Sequence, residues 1–322
     1  MPTYTFGFEA EFQKNVQEIA HVMHDNGHTQ DAILHNYTCD CEGCEVSFFD
    51  AVAGEYVYDH DSIYNLRIKN DSSCGGELIS KVWDSPDDNR IRKLWTDIER
   101  AAINVDTEPG LTAGFHVHVG RSHLDLAARG RLILTFAGWE RPLLQLASGR
   151  WPTNRGWNGT LDSHLSPNFR FLADEINADS PPVFNDCSRV VARLQNEPEN
   201  SLVAKAAYRQ IARDHQGIDR HTSLSFSERH PTMEFRLWNS TRAAWRMELW
   251  CRMSLLLSDP EFDKLLLKNW THNPTLEDLV NTIADYDGNG SKETFTLAER
   301  QLTYLKNCDT LDIDQSTPLT IA

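Results

Sequence analysis

The sequence predicts an α+β protein in which helices cover an antiparallel or mixed sheet. Three observations predict it. Several stretches alternate apolar and polar residues with the period of a strand, and several others space their apolar residues as a helix does. The two kinds do not follow each other in a regular βαβ rhythm, and no internal repeat is visible.

Taken from the N-terminus, "TYTFGFEAEF" reads as a strand. Tyr4, Phe6, Phe8, Ala10 and Phe12 share one face, and Thr5, Gly7, Glu9 and Glu11 share the other. "QKNVQEIAHVMHDNG" then reads as a helix ending at Gly27. "CGGELIS" opens a short strand with Glu77 behind a glycine pair that permits close backbone approach. In "SPDDNRIRKLWTDIERAAINV" Ser85 is expected as N-cap, Pro86 as the first helical residue, and Asp87 and Asp88 in the first turn. Ile91, Leu94, Trp95, Ile98, Ala101, Ala102 and Val105 keep helical spacing, so this helix should cover a sheet face.

"GFHVHVG" is the next strand, with Phe115, Val117 and Val119 on one face and His116 and His118 on the other. Residues 124–147, 201–215 and 242–257 are further helix candidates, and Trp95, Trp245 and Trp250 fall in helical patterns that place them in the core. "HTSLSF" and "TMEFRLWN" are the clearest remaining strands; the second turns Met233, Phe235 and Leu237 inward and Glu234, Arg236 and Trp238 the opposite way. Stretches 148–168 and 177–200, rich in Pro, Asn, Gly and Ser, read as long loops of the kind that shape function.

Composition narrows the classes. At 322 residues, with 40% hydrophobic and 24% charged residues, the chain is that of a globular protein. A net charge of −16 excludes a general nucleic-acid or anionic-membrane surface, although bound Mg²⁺ can supply local positive charge for a phosphate substrate. No apolar run is long enough for a spanning helix, so no membrane is expected. Seven cysteines, three of them in "CDCEGC", and no visible secretory segment favour a reducing compartment, and the expected location is cytoplasmic.

The polar faces of these strands share a peculiarity. A solvated sheet face usually mixes Thr, Lys, Arg and Ser, whereas these carry Glu9, Glu11, Glu77, His116, His118 and Glu234. Carboxylates at i and i+2 on a strand lie within about 7 Å and repel unless a cation stands by them. Oxygen ligands with few nitrogens favour Mg²⁺ or Mn²⁺ over zinc.

In that order, "GFEAEF", "CGGELIS", "GFHVHVG" and "MEFRLWNST" resemble the amidoligase family of the glutamine synthetase and glutamate–cysteine ligase superfamily. The resemblance implies a curved, mainly antiparallel sheet with helices on its convex side and a concave face that binds ATP with Mg²⁺ ions. It implies an ATP-dependent carboxylate–amine ligase acting through an acyl-phosphate on small-molecule or peptide substrates. Carried over residue by residue, Glu11 and Glu77 would hold one metal, and Glu9, His116 and Glu234 another. His118 would sit by the ATP phosphates and Arg236 by the transferred phosphoryl group, while Arg121, Arg150, Arg155 and Arg220 are candidate anion contacts. Residues 1–260 would form the catalytic domain with a Cys-rich insert at 35–74, and 261–322 a C-terminal helical extension and tail packed on it.

Other signals stand apart from this set. Cys39, Cys41 and Cys44 have spacing that suits structural Zn²⁺, with Cys74 or His35 as a fourth ligand, although it is not a standard finger spacing. "DYDGNGSKETFT" has the first half of an EF-hand loop but Thr296 where the bidentate Glu belongs, so a solvated turn is the expectation. Three other functions compete with the ligase. A cupin-like metalloenzyme matches Gly110 and the HVH motif, but "VGRSHLDL" offers only His123 for its next ligand, and Glu9 and Glu11 have no role in it. A metal-dependent hydrolase would need no ATP, and a zinc-stabilised binding protein would use the acidic face for a basic partner.

Overall fold

The computed structural model describes residues 4–29, 65–70, 74–107, 113–148, 194–195, 223–226, 231–271 and 274–310. The chain divides into two compact units. The first comprises Thr3–His118, Trp238–Arg252 and Glu299–Ala322, and the second Met1–Pro2, Val119–Leu237 and Met253–Ala298.

In the first unit the neighbouring strands run β2 (Leu66–Lys69), β3 (Gly76–Ser80), β1 (Phe6–Phe12) and β4 (Gly114–Gly120). β3 is antiparallel to both β1 and β2, with Glu11 opposite Glu77 and Lys69 opposite Glu77 on its other side. The alternation read from sequence holds: Phe6, Phe8, Ala10, Phe12, Phe115 and Val117 are buried on one face. Phe8 and Phe115 stack there at 5.2 Å between ring centroids.

Helices α1 (Val16–Asp25) and α2 (Asn89–Asn104) pack on each other in this unit. The glycine pair shows why the chain needs it. Gly75 has φ +104°, and a Cβ on Gly76 would stand 2.6 Å from Val16 Cγ1 and 2.9 Å from the Lys69 carbonyl oxygen. The first turn of α1 therefore rests directly on the backbone of β3. On α2, Ile91, Leu94, Trp95, Ile98, Ala101 and Ala102 are buried as their spacing predicts, and Val105 is the C-cap.

The expected start of α2 is corrected. Asp88, not Ser85, is the N-cap, and its side chain accepts from the Arg90 N–H. Ser85 Oγ instead accepts from the Asp87 N–H at 3.1 Å, which spends Ser85 and Pro86 on a turn ahead of the helix. That turn has a tertiary use: Asp87 Oδ1 receives the buried Arg252 guanidinium at 2.6 Å, and Glu248 receives it at 2.9 Å. Arg252 lies on α4 (Ala244–Leu257), the helix expected at 242–257.

Of two tryptophans in this unit, Trp238 gains a stacking partner and Trp245 departs from its expected place in the core. Trp238 is fully buried, stacked on Trp250 at 4.8 Å with planes 5° apart. Trp245 is only half-buried; the Arg300 guanidinium covers its ring at 4.2 Å and Arg246 lies 5.1 Å from it. Helical spacing located both faces of α4, but a long arginine stem can cover an indole as well as a core can.

The second unit contains α3 (Leu126–Ser148), the short antiparallel pair β5 (Leu224–Ser225) and β6 (Thr232–Asn239), α5 (Pro260–Asn269) and α6 (Leu276–Ala284). The strand read from "TMEFRLWN" has those bounds, and Phe136 of α3 packs its ring 6.2 Å from Phe235. α3 and α5 are joined by a buried pair, Arg131 Nε to Asp263 Oδ2 at 2.8 Å. α7 (Ser291–Thr310) starts before a twelve-residue calcium loop could close, and Asp285 and Asp287 are exposed, so "DYDGNG" is a turn. Among the described residues no helix is long and apolar enough to cross a membrane.

Candidate functional site

The polar face of the first unit's strands carries a continuous chain of carboxylates and imidazoles. Glu9 and Glu11 point to the same side of β1 because they are two residues apart, and β4 sends His116 and His118 to that side for the same reason. Glu9 Oε1 lies 3.3 Å from His118 Nε2, and Glu9 Oε2 lies 3.2 Å from His116 Nδ1. The other ring nitrogen of His116 stands 3.7 Å from Glu11 Oε1, and Glu11 Oε2 accepts the Gly114 N–H at 2.6 Å. One imidazole thus spans two carboxylates, and one carboxylate spans two imidazoles.

Gly114 makes this arrangement sterically possible. A Cβ at that position would stand 2.6 Å from His116 Nε2 and 3.5 Å from Glu11 Oε2. The glycine that opens "GFHVHVG" is space for the imidazole ring.

Burial and charge act against each other at Glu9. Burial alone would raise its carboxyl, but the charge of His118 and hydrogen bonds to His116 and His118 outweigh that effect. The group is held well below the usual carboxylate range, so it is a permanent anion at neutral pH.

Register adds Glu77. It faces Glu11 directly across β3 and β1, and His116, Glu11 and Glu77 are all buried. Directly opposed residues have Cβ atoms about 4.5–5.5 Å apart, where like charges repel. The donor set therefore fits a hard divalent ion: three carboxylates and two imidazoles gathered on one face, with more carboxylates than imidazoles.

Sequence reasoning missed two residues of this face. Arg67 and Lys69 lie on β2 with their side chains on the same side as Glu77, because Lys69 is directly opposite Glu77 and Arg67 opposite Ile79. The signal was present in "NLRIKN", where Leu66 and Ile68 alternate with the two cations.

The second unit holds Glu234, Arg236 and Arg121. Arg236 Nη1 makes an ion pair with Glu234 Oε1 along β6, two residues apart on one face. The Arg236 N–H donates to the Ser223 carbonyl at 2.9 Å, which ties that stretch of β6 to β5. Arg121 is buried, and its N–H donates to the Pro231 carbonyl at 3.0 Å. Cys74 is buried with Sγ 3.5 Å from the Gly76 carbonyl oxygen. Cys39, Cys41, Cys44, His35, Arg150, Arg155 and Arg220 lie outside the described residues.

A protein-family model described as "Putative amidoligase enzyme" matches residues 2–258. No curated protein matches the chain. Among solved structures, a bifunctional glutathione synthetase from Pasteurella multocida is similar over 94% of this chain and 47% of its own, with 11% identity and a TM-score of 0.41. The complex between the prokaryotic ubiquitin-like protein Pup and its ligase PafA is similar over 97% of this chain and 66% of its own, with 13% identity and a TM-score of 0.37. The chain thus spans less than two thirds of either.

Proposed function

The chain belongs to the amidoligase family, ligases that form carbon–nitrogen bonds, and from that membership we propose that it is an ATP- and Mg²⁺-dependent carboxylate–amine ligase. The observation that carries the reading is the run His118–Glu9–His116–Glu11, with Glu77 across the sheet from Glu11. Glu11 and Glu77 would hold one divalent ion. Glu9 and His116, with Glu234 as the family resemblance adds it, would hold another. Ions held there would supply positive charge against the phosphates.

In this reaction a carboxylate oxygen of one substrate attacks the γ-phosphorus of ATP and ADP leaves. The amine nitrogen of the second substrate then attacks the acyl carbon, phosphate leaves, and the nitrogen gives up a proton. The protein's part is placement. His118, anchored by Glu9, would donate to phosphate oxygens. Arg236, whose charge Glu234 offsets in the resting chain, would turn to the transferred phosphoryl group. Arg121 and Arg220 remain candidate anion contacts. The reaction would occupy residues 1–260, with 261–322 as an extension of the same domain and a cytoplasmic supply of nucleotide.

A structural zinc on Cys39, Cys41 and Cys44 with Cys74 is a separate proposal. Metal analysis of the purified protein tests it: about one equivalent of zinc is expected, lost with Cys74→Ser.

The test of the ligase is ATP turnover with Mg²⁺ against pooled carboxylates and amines. Phosphate and an amide released together, only with one pair, are expected. Amide hydrolysis without nucleotide would replace this reading with a metal-dependent hydrolase.

A further inference from the structure

Three strands of the first unit set Lys69, Glu77 and Glu11 in one cross-strand row. Lys69 is opposite Glu77 on β2 and β3, and Glu77 is opposite Glu11 on β3 and β1. All three are nearly inaccessible, at 7%, 2% and 7% exposure. Buried Lys and Glu side chains are rare without a compensating charge. Two buried carboxylates in direct opposition repel, and the row places a lysine at its end, directly across from the more buried of the two.

Glu11 is already engaged on its far side. Its Oε2 accepts the Gly114 N–H at 2.6 Å, and its Oε1 faces His116 at 3.7 Å. Glu77 is consequently the carboxylate with a cation on one flank and an anion on the other. A divalent ion that joins Glu11 to Glu77 would enter a row whose net charge Lys69 has already lowered.

We propose that Lys69 is a positioning residue for the Glu11–Glu77 metal site: its ammonium holds the buried carboxylate pair in place before the ion arrives and weakens the ion's binding by opposing it. This rests on the reading of Glu11 and Glu77 as Mg²⁺ ligands. The ammonium keeps the site preformed in the metal-free protein, so that Mg²⁺ binds with moderate affinity and does not have to drive folding. Charge is the operative property, and an arginine should serve in its place. Arg67, two residues earlier on the same face, is directly opposite Ile79 and so lies outside the Lys69–Glu77–Glu11 row. It should not share the role.

The experiment measures Mg²⁺ binding calorimetrically, and melting temperature with and without Mg²⁺, in the full chain without nucleotide. Lys69→Met, Lys69→Arg and Arg67→Met are compared with wild type. Lys69→Met should melt earlier than wild type without Mg²⁺ yet bind Mg²⁺ about tenfold more tightly, since a unit positive charge in the same cross-strand row is removed. Lys69→Arg and Arg67→Met should keep the wild-type affinity. A Lys69→Met chain that is unfolded alone and folds on adding Mg²⁺ supports the inference equally.

Unchanged or weaker Mg²⁺ binding in Lys69→Met, or a chain that stays unfolded in saturating Mg²⁺, overturns it while the ligase reading stands. Absence of any Mg²⁺ effect in wild type removes the metal reading and this inference together.

Discussion

Glu9 Oε2 stands 3.2 Å from His116 Nδ1, a carboxylate from the first strand against an imidazole 107 residues further along the chain. Neither group is far from a second partner of the opposite kind: Glu9 also faces His118, and His116 also faces Glu11. Removing any one member changes the surroundings of the next.

Glu9→Gln is the direct test of that chain. The amide keeps the shape but brings an N–H₂ toward an imidazole and removes the anion between His116 and His118. Ligase turnover should fall about 100-fold or more, given that even groups behind a metal ligand contribute about 10–100-fold. The Mg²⁺-induced rise in melting temperature should shrink, with the metal-free fold intact by circular dichroism. Wild-type turnover in this variant would remove Glu9 from the chemistry.

Gly114→Ala probes the space reserved for the imidazole. The new methyl would lie 2.6 Å from His116 Nε2, so the ring must turn away from Glu11. Overpacking of this sort costs about 1–3 kcal/mol, and Mg²⁺ affinity should drop with it. A denaturant melt and a Mg²⁺ titration read the two effects separately; an unchanged affinity would show that the ring position is immaterial.

Gly76→Ala acts away from the polar face. Its Cβ would meet Val16 Cγ1 at 2.6 Å and the Lys69 carbonyl oxygen at 2.9 Å. A loss of about 1–3 kcal/mol is expected. Val16→Ala in the same chain should recover part of that loss, because only one of the two clashes is relieved. A double-mutant cycle measures the coupling.

Asp97 supplies a pH signature remote from the site. Its buried carboxylate lies 2.8 Å from His28 Nε2 and also receives Lys93. Burial alone would raise its carboxyl, but hydrogen bonds from Lys93 and His28 prevail and lower it. A carboxylate depressed in the folded state adds stability above its unfolded pKa of about 3.9. That contribution is lost as pH falls through the folded value. Asp97→Asn should therefore cost about 1.5–3 kcal/mol at pH 7, and the gap from wild type should close in acid. Urea melts from pH 7 down to 3 would reveal a constant gap if the charge were irrelevant.

The faces of the elements were legible without coordinates. Phe6, Phe8, Ala10 and Phe12 had to share one side of β1 and Glu9 and Glu11 the other, because the pleat has a period of two residues. The apolar stripe of α2 was equally plain, since its spacing follows the helical period. These are local properties, and each needs only one segment. The start of α2 was not legible, because Asp87 is taken by Arg252 from a helix far along the chain and Ser85 by the turn before Asp88.

Candidate ligands were legible as a set, but their pairing was not. A strand slipped by two residues keeps every side chain on its own face and changes every neighbour across the sheet. Alternation alone could not say that Glu11 meets Glu77, that Lys69 flanks them, or that His116 stands between Glu9 and Glu11. Sequence determined which groups face the polar side. Tertiary structure decided which charges touch, because strand register is set by contacts between segments that no single segment encodes.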